Sequence, residues 1–422
     1  MARSYKILAI CPFFLPKLHP EVIVNAKLFL GLLERGHEVD ILTVRDEGKG
    51  GYVYSTATEE WWSPLASRIT RVEESARSRW GRFFADGMAY LCTGYHYRGV
   101  GEWKREFREA DRMLRQKKYD CILYRGPGSM GLTAIRAARK HRLPLIVNLS
   151  DPWYNFPAPY TKEKNLKFKQ RMAAKILKHA DAVTFPSREL ADYSLREYPV
   201  LSHIPCRILP HMYRDIFSVL PAAVPEDHKN FTLTHAGSWG LFRNPLRLFK
   251  ALKLVADNNP DLKFRFNVVG KANPDFERMV DECGLGGIVR DLGSKNYMET
   301  GAILKGSTAL VLLEAECDTG IFMPSKFVDY LQAGRPILAI SPARGCIAEN
   351  MKRFPIGEFA DVRSVEAIVG ALQYMVNKFR EGRLSDYDFR IASEFFATKP
   401  IAGTEELIAQ LVEPAATEDK SR

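Results

Sequence analysis

The sequence predicts an α/β protein with two doubly wound domains that face a central cleft. Both halves of the 422-residue chain alternate short apolar runs with amphipathic stretches, as the βα units of parallel sheets do. The chain is also longer than one ordinary hydrophobic core accommodates. Near its middle, residues 205–225 are rich in proline and weakly patterned, which indicates a domain boundary.

The first half contains five predicted strands separated by helical patterns. The first strand is followed by an amphipathic stretch, Glu21–Arg35, which ends at a helix-stopping glycine, Gly36. Basic helical stretches precede the three later strands. The predicted strands are Lys6–Cys11, His37–Thr43, Tyr119–Tyr124, Pro144–Leu149 and Asp181–Phe185.

The second half repeats this scheme, and helical patterns return from about residue 385. We therefore expect domains at 1–205 and 206–384, with the helices of about 385–412 packing back on the first domain. No Gly-x-Gly-x-x-Gly follows the first strand and no P-loop motif occurs, which argues against an NAD enzyme or a P-loop NTPase. The predicted strands of this half are Phe231–Ala236, Phe264–Val269, Ala309–Leu313 and Pro336–Ile340.

Composition indicates a globular protein of a reducing compartment. Apolar residues make up 46% and charged residues 26%, and no run approaches the ~20 apolar residues of a membrane helix. The run 7–16 has the basic flank of a signal peptide but no small-residue cleavage site after it. The seven cysteines are scattered without a CxxC pair, which favours reduced cytoplasmic thiols over disulfides or zinc.

The positive charge is concentrated in one half of the chain. Residues 1–205 carry a net +12, whereas residues 206–422 carry −1. Such asymmetry suits an anionic partner, and acidic lipid headgroups, a lipid diphosphate or nucleic acid would all serve. A basic half that is merely soluble is the alternative.

The segment 324–340 combines helix signals with charged residues suited to a nucleotide sugar. Pro324 and Ser325 start a predicted helix that Gly334 ends. Lys326 beside the helix N-terminus suits a phosphate, and Asp329 one turn later suits a sugar hydroxyl. An ordinary amphipathic helix with a surface ion pair would show the same pattern.

A glycine-containing loop at 235–245 joins a predicted strand to a predicted helix. Gly237 and Gly240 allow the backbone to approach a ligand closely, and exposed amides there can bind an anion. Arg243 can donate two hydrogen bonds to phosphate oxygens. The alternative is a glycine turn with a solvated arginine.

Two segments of the first half carry candidate acceptor residues. Asp151 and Trp153 follow the predicted strand that ends at Leu149, although Asp151 could instead cap the following turn. His19 precedes Pro20, a favourable first residue of a helix, and a histidine there could bind substrate or serve the loop's structure.

Aromatic and basic residues interleave between positions 59 and 118, where four of the six tryptophans lie. Such segments suit an anionic membrane interface. Helices packed on the sheet through their aromatic residues are the alternative. The residues concerned are Trp61, Trp62, Arg68, Arg71, Arg77, Arg79, Trp80, Arg82, Phe83, Phe84, Tyr95, Tyr97, Arg98 and Trp103.

Taken together, these segments resemble the retaining GT-B glycosyltransferases of family 4 over roughly residues 5–410. The resemblance rests on the shared order and spacing of motifs that are individually weak. They are Leu32-Leu-Glu-Arg-Gly-His-Glu-Val-Asp-Ile-Leu-Thr43, Ala180-Asp-Ala-Val-Thr-Phe-Pro-Ser187, Ile208-Leu-Pro-His-Met-Tyr213 and Lys326-Phe-Val-Asp-Tyr-Leu-Gln-Ala-Gly-Arg-Pro336.

The resemblance implies a GT-B fold of two Rossmann-like domains and assigns roles to individual residues. Donor binding falls to Gly237, Ser238, Arg243, Ser325, Lys326 and Asp329, of which Asp329 replaces the family's ribose-binding glutamate. Catalysis falls to Arg243, Lys326 and Asp151, and the acceptor to His19, Asp151 and Trp153.

Two positions depart from the family pattern. Ile321 stands where relatives have a second acidic residue, and Glu316 and Asp318 are nearby alternatives in the loop. His19-Pro20 stands where many relatives have a glycine pair.

The sequence therefore predicts a hexosyltransferase-type enzyme that moves a sugar from a nucleoside-diphosphate sugar to a hydroxyl of a lipid-linked or surface-polysaccharide acceptor. The resemblance implies retention of configuration, without a metal or other cofactor. We expect a cytoplasmic protein in peripheral contact with an anionic inner membrane face through residues 59–118, and no nucleic-acid partner. A UDP-sugar epimerase of the same fold and a non-enzymatic nucleic-acid-binding protein are the alternatives.

Overall fold

The computed structural model describes residues 3–16, 19–44, 60–73, 78–95, 99–126, 128, 130–153, 156–157, 166–221, 229–237, 239, 242–271 and 275–413. The chain forms two compact units. The first unit comprises residues 1–156, 163–211 and 398–422, and the second comprises 157–162 and 212–397.

The first unit is built on a parallel sheet in the order β3-β2-β1-β4-β5-β6-β7. Its central strands are buried along almost their whole length, as expected for strands covered on both faces. The strands are β1 Lys6–Cys11, β2 Glu38–Val44, β3 Ile69–Val72, β4 Cys121–Arg125, β5 Leu145–Asn148, β6 Ala182–Phe185 and β7 Cys206–Ile208. The helices are α1 Pro20–Glu34, α2 Ser63–Ala66, α3 Arg79–Thr93, α4 Trp103–Gln116, α5 Gly131–His141, α6 Leu166–Leu177 and α7 Arg188–Glu197.

The second unit is built on a parallel sheet in the order β10-β9-β8-β11-β12-β13. Aromatic residues dominate its core, in which Trp239 packs against Phe249, Phe266 and Phe276. The strands are β8 Asn230–Ala236, β9 Lys263–Val269, β10 Val289–Asp291, β11 Ala309–Leu313, β12 Ile337–Ser341 and β13 Gly357–Asp361. The helices are α8 Leu246–Asp257, α9 Phe276–Glu282, α10 Tyr297–Lys305, α11 Ser325–Ala333, α12 Cys346–Arg353, α13 Val365–Arg380 and α14 Arg390–Val412.

Helix α14 begins in the second unit, and its residues from Thr398 onward belong to the first. Within the first unit, the carboxylate of Glu405 accepts hydrogen bonds from Arg35 at 3.2 Å and from His37 at 2.8 Å. Gly403 lies close to Leu209, and Leu407 and Ile408 are buried. These contacts fix the end of α14 to the first sheet.

Each sheet has one topological switch point, where the chain direction across the sheet reverses. In the first unit it lies between β1 and β4, and in the second between β8 and β11. Ligands of doubly wound sheets bind outside the carboxyl ends of the strands at such points. The topology therefore selects two places for functional residues, one in each unit.

Candidate functional site

The switch point of the second unit brings together a glycine and a carboxylate. Gly237 follows β8 with a positive φ of 119°, a conformation that a side chain would strain. The N–H of Gly237 donates to the carbonyl of Val269 at 2.8 Å. A Cβ at Gly270 would lie 2.7 Å from the carbonyl oxygen of Gly237, so the two glycines are closely packed. Glu314 follows β11 directly and is buried.

Lys326, in the first turn of α11, reaches this switch point. A Cβ placed on Gly237 would lie only 2.9 Å from the Lys326 Nζ atom, so the ammonium group lies directly against this glycine. Tyr330, one turn later, accepts a hydrogen bond from the N–H of Ala236 at 2.9 Å and donates one to the carbonyl of Val311 at 3.0 Å. Because these contacts tie α11 to both β8 and β11, they fix the direction in which Lys326 extends.

His235, on β8, lies beneath the lysine. It is fully buried, and its Nδ1 lies 3.0 Å from the carbonyl oxygen of Val311, to which Nδ1–H must therefore donate. Burial, together with the neighbouring Lys326, lowers the pKa of His235 well below its usual value, so the ring is neutral. Its Nε2, 3.5 Å from Nζ, can therefore accept a hydrogen bond from Lys326.

The surroundings of Lys326 disfavour its positive charge. Burial is the largest cause and the guanidinium of Arg243 adds to it, while Glu314 and Asp329 act in the opposite direction. Together these effects lower the pKa of Lys326 to about 7. The site is therefore short of negative charge, and an anion placed there would restore the ordinary pKa of the lysine.

Arg243 supplies the second cation of this site. Its Nη2 donates to Oε2 of Glu314 at 3.3 Å, and the carboxylate of Glu314 is almost fully buried. Among the described residues, the other oxygen of Glu314 is buried without a hydrogen-bond partner. The ion pair orients the guanidinium of Arg243, while the second oxygen of Glu314 can still accept a hydrogen bond.

The amino end of α11 completes the site. Ser325 is its first residue, and in the described part of the chain no side chain caps this end. The N–H groups of Ser325 and Lys326, at the first two positions of this nine-residue helix, are therefore placed to bind an anion in line with the helix dipole, whereas the N–H of Phe327 donates to the carbonyl of Pro324 at 3.0 Å. Asp329 lies one turn further, where its Oδ1 accepts hydrogen bonds from the Tyr297 hydroxyl at 2.7 Å and from Gln332 at 3.2 Å.

The structure thus brings Gly237, Arg243, Ser325, Lys326 and Asp329 into one unit, while the predicted donor residue Ser238 lies outside the described residues. Their binding roles stay predictions. Sequence reasoning missed Glu314 and His235, although a carboxylate directly after a buried strand, and a histidine two residues before a glycine, were visible signals.

The acidic alternatives in the loop after β11 are engaged elsewhere. Glu316 pairs with Arg247 at 2.6 Å, and Asp318, which is almost fully exposed, pairs with Arg363 at 2.7 Å. Ile321 is buried. In this region it is Glu314 that places a carboxylate beside Arg243.

The predicted acceptor residues lie in the first unit. His19 caps α1, since its Nδ1 accepts the N–H of Glu21 at 3.3 Å, and Asp151 is exposed after β5. Trp153 is buried against Tyr124, and its carbonyl accepts a hydrogen bond from the Tyr198 hydroxyl. His19 and Trp153 therefore have structural roles here, and their contacts with an acceptor stay predictions.

Two kinds of feature are absent from the described ranges. Over these ranges, no group of three or more His, Cys, Asp or Glu residues is placed to hold a metal ion. The same residues contain no helix that is both long and apolar enough to cross a membrane.

Residues 23–210 match the model of the Glycosyl transferase 4-like domain. No curated relative matches the chain by sequence.

Solved structures share the fold across nearly the whole chain. A glycosyltransferase from Rickettsia africae superposes with a TM-score of 0.62 at 13% identity, covering 98% of this chain and 100% of its own. The lipopolysaccharide outer core galactosyltransferase WaaB gives 0.57 at 15% identity, with coverages of 96% and 99%. A putative UDP-N-acetylglucosamine 2-epimerase from Listeria monocytogenes gives 0.57 at 12% identity, with coverages of 97% and 98%. These likenesses confirm the predicted two-domain, Rossmann-like GT-B fold.

Proposed function

We propose that this protein is a glycosyltransferase that transfers a sugar from a nucleoside-diphosphate sugar to a hydroxyl of a glycan or lipid-linked acceptor, with retention of anomeric configuration. The observation that carries the proposal is the half-buried Lys326, whose pKa falls to about 7 beside Arg243 and an uncapped helix end. A diphosphate supplies the negative charge that these three groups lack.

The proposed chemistry needs no nucleophile from the protein. The bond between the anomeric carbon and the phosphate oxygen breaks, and the acceptor oxygen forms a bond to the same carbon. The proton of the acceptor hydroxyl passes to the departing phosphate. Arg243, Lys326 and the amides of α11 stabilise the charge that develops on the leaving group, as preorganised donors do.

The family model and the transferase neighbours support transfer over epimerisation, although the epimerase shares the fold. The two activities differ in their products. A transferase releases a nucleoside diphosphate in proportion to the acceptor supplied, whereas an epimerase changes the sugar without release.

Phosphatase-coupled detection of released nucleoside diphosphate tests this directly. The donors are UDP-, GDP-, TDP- and ADP-sugars, with and without a glycolipid and polysaccharide extract. We expect release with one donor that rises with the extract. A new sugar epimer formed without release would replace the transferase assignment.

We also propose that the first unit meets an anionic membrane through helix α3. Five of its large apolar side chains, at spacings of three, four, eight and eleven residues, are between 60% and 77% exposed: Trp80, Phe83, Phe84, Met88 and Leu91. They form a stripe along one face of the helix. Elsewhere in 59–118, Trp62 and Tyr95 are buried and Arg136 stacks on Trp103, while Arg77, Tyr97 and Arg98 lie outside the described residues.

The opposite face of α3 is held to the unit by small and polar groups. The carboxylate of Asp86 accepts hydrogen bonds from the N–H groups of Gly99 at 3.0 Å and Gly101 at 2.7 Å. A Cβ at Gly101 would clash with Ala85. These contacts hold α3 with its apolar stripe exposed, and the first 205 residues carry a net charge of +12. Both properties favour binding to an acidic lipid surface.

The triple variant Trp80→Ser, Phe83→Ser, Leu91→Ser is expected to lower binding to vesicles by at least about tenfold, because each buried apolar side chain contributes about 1.5–3 kcal/mol. Flotation with phosphatidylglycerol-containing and pure phosphatidylcholine vesicles measures this. The matched control is Val219→Ser, Leu254→Ser, at exposed apolar positions of the second unit. Equal flotation of the triple variant and the wild type would contradict the assignment.

A further inference from the structure

The switch point of the first unit holds a carboxyl group that the donor site does not use. Pro12 follows β1 and Gly126 follows β4, so both lie at the carboxyl ends of adjacent central strands. Glu21, in the first turn of α1, extends to this point: a Cβ at Gly126 would lie 3.2 Å from its Oε1 and 3.3 Å from Cδ of Pro12. Gly126 has a φ of 118°, so a glycine is favoured beside the carboxyl group.

This carboxyl group is buried without a complete set of partners. Its Oε1 is buried, and within the described ranges this atom has no hydrogen-bond partner. A buried polar atom left in this state costs free energy that a bound ligand can recover. The residue as a whole is only half-buried, so part of it is open to solvent.

The charges around Glu21 restrict the ligand. Asp151, after β5, is near enough to raise the pKa of Glu21, and Arg125, on β4, opposes it. Arg125 is buried and donates to the side chain of Asn25. The two carboxyl groups repel a phosphate, and the buried guanidinium repels a cation. The ligand that fits these charges is therefore a neutral group that donates a hydrogen bond.

We infer that Glu21 binds a hydroxyl group of a neutral sugar in the acceptor, as a positioning residue beside Asp151. The inference rests on the proposed transferase function, and it adds to that function a recognition residue and the neutral character of the recognised group. A sugar hydroxyl donates to Oε1 and supplies the missing partner.

The site also has a characteristic pH dependence. Burial, then the charge of Asp151, raises the pKa of Glu21 to about 7. Other groups that face it are Arg125, whose guanidinium stays charged, and Cys11, whose thiol pKa burial raises, so it stays neutral. A carboxylate accepts a stronger hydrogen bond from a hydroxyl than its protonated form does, so sugar binding should strengthen as pH rises from 6 to 8.

Saturation-transfer-difference NMR on the full chain tests the inference without any donor. The probes are methyl glycosides of glucose, galactose, mannose and N-acetylglucosamine, measured at pH 6 and pH 8. The variants are Glu21→Ala and Glu21→Gln, with Glu34→Gln, exposed at the other end of the same helix, as control. Melting curves of the same samples with and without nucleotide report folding and donor binding separately.

We expect at least one glycoside to receive saturation in the wild type and in Glu34→Gln, more strongly at pH 8. Glu21→Ala should lose the signal at least about fivefold while keeping nucleotide binding, and Glu21→Gln should lose the pH dependence. The inference is overturned if no glycoside gives a signal in the wild type. It is also overturned if both Glu21 variants give a signal as strong as that of the wild type. If the wild type itself shows no nucleotide binding in the melting curves, that result would instead contradict the proposed function.

Discussion

Replacing Lys326 by methionine is expected to lower kcat/KM for the nucleotide sugar by about 100- to 1000-fold, the usual effect of removing one preorganised donor from a developing oxyanion. Arg243→Ala should act to a similar extent, because it removes the second cation of the same site. Neither loss should come from unfolding. In Lys326→Met the melting temperature should stay level or rise, since burial disfavours the ammonium group it removes.

Steady-state kinetics with the best donor, alongside melting curves, separate these effects. The matched control is Lys352→Ala, an exposed helical lysine of the same unit that pairs with Glu349. It should keep wild-type activity. Well-folded Lys326→Met and Arg243→Ala proteins with wild-type turnover would remove both residues from the mechanism.

Donor affinity is expected to fall about tenfold for each pH unit above 7. Burial lowers the pKa of Lys326 to about 7, and a bound diphosphate favours its protonated form. Below pH 7 the lysine is already charged, so binding takes up no proton. Above pH 7 binding must take one up, and the dissociation constant rises until pH reaches the pKa of the complex.

Calorimetric titration of a nucleotide sugar between pH 6 and pH 9 measures this dependence. A nucleotide sugar is the right ligand because its diphosphate does not titrate in this range. We expect affinity to weaken by about 100-fold across the series in the wild type. Lys326→Arg, whose side chain stays charged, should bind with little change. A flat wild-type profile, or an equal slope in Lys326→Arg, would contradict the role of the lysine.

The central strands could be predicted from the sequence because they are buried on both faces and read as continuous apolar runs. Predicted and observed bounds agree for Lys6–Cys11 and Ala309–Leu313 and differ by one or two residues elsewhere. Sequence reasoning missed four strands, and each is the edge strand of its sheet: Ile69–Val72, Cys206–Ile208, Val289–Asp291 and Gly357–Asp361. Edge strands are short and partly polar, so they lack the apolar run.

The candidate site was predictable where a local motif carries it. Gly237 and Lys326 belong to a strand-end loop and a helix start, and both signals are readable within a few residues. Glu314 also carries a local signal, its position directly after a buried strand, but that signal alone did not single out either Glu314 or Glu21. Their significance comes from the two switch points, which depend on strand order across the whole sheet.

In the proposed function, the second unit binds a nucleoside diphosphate through Arg243 and Lys326. Thermal unfolding of the purified protein with UDP, GDP, TDP, ADP and their sugar conjugates tests it most directly, because a ligand of the native state raises the melting temperature by mass action. We predict a rise of several degrees with one base, retained in Lys352→Ala and absent in Arg243→Ala. No rise with any nucleotide, or an equal rise in Arg243→Ala, would contradict nucleotide binding at these two residues.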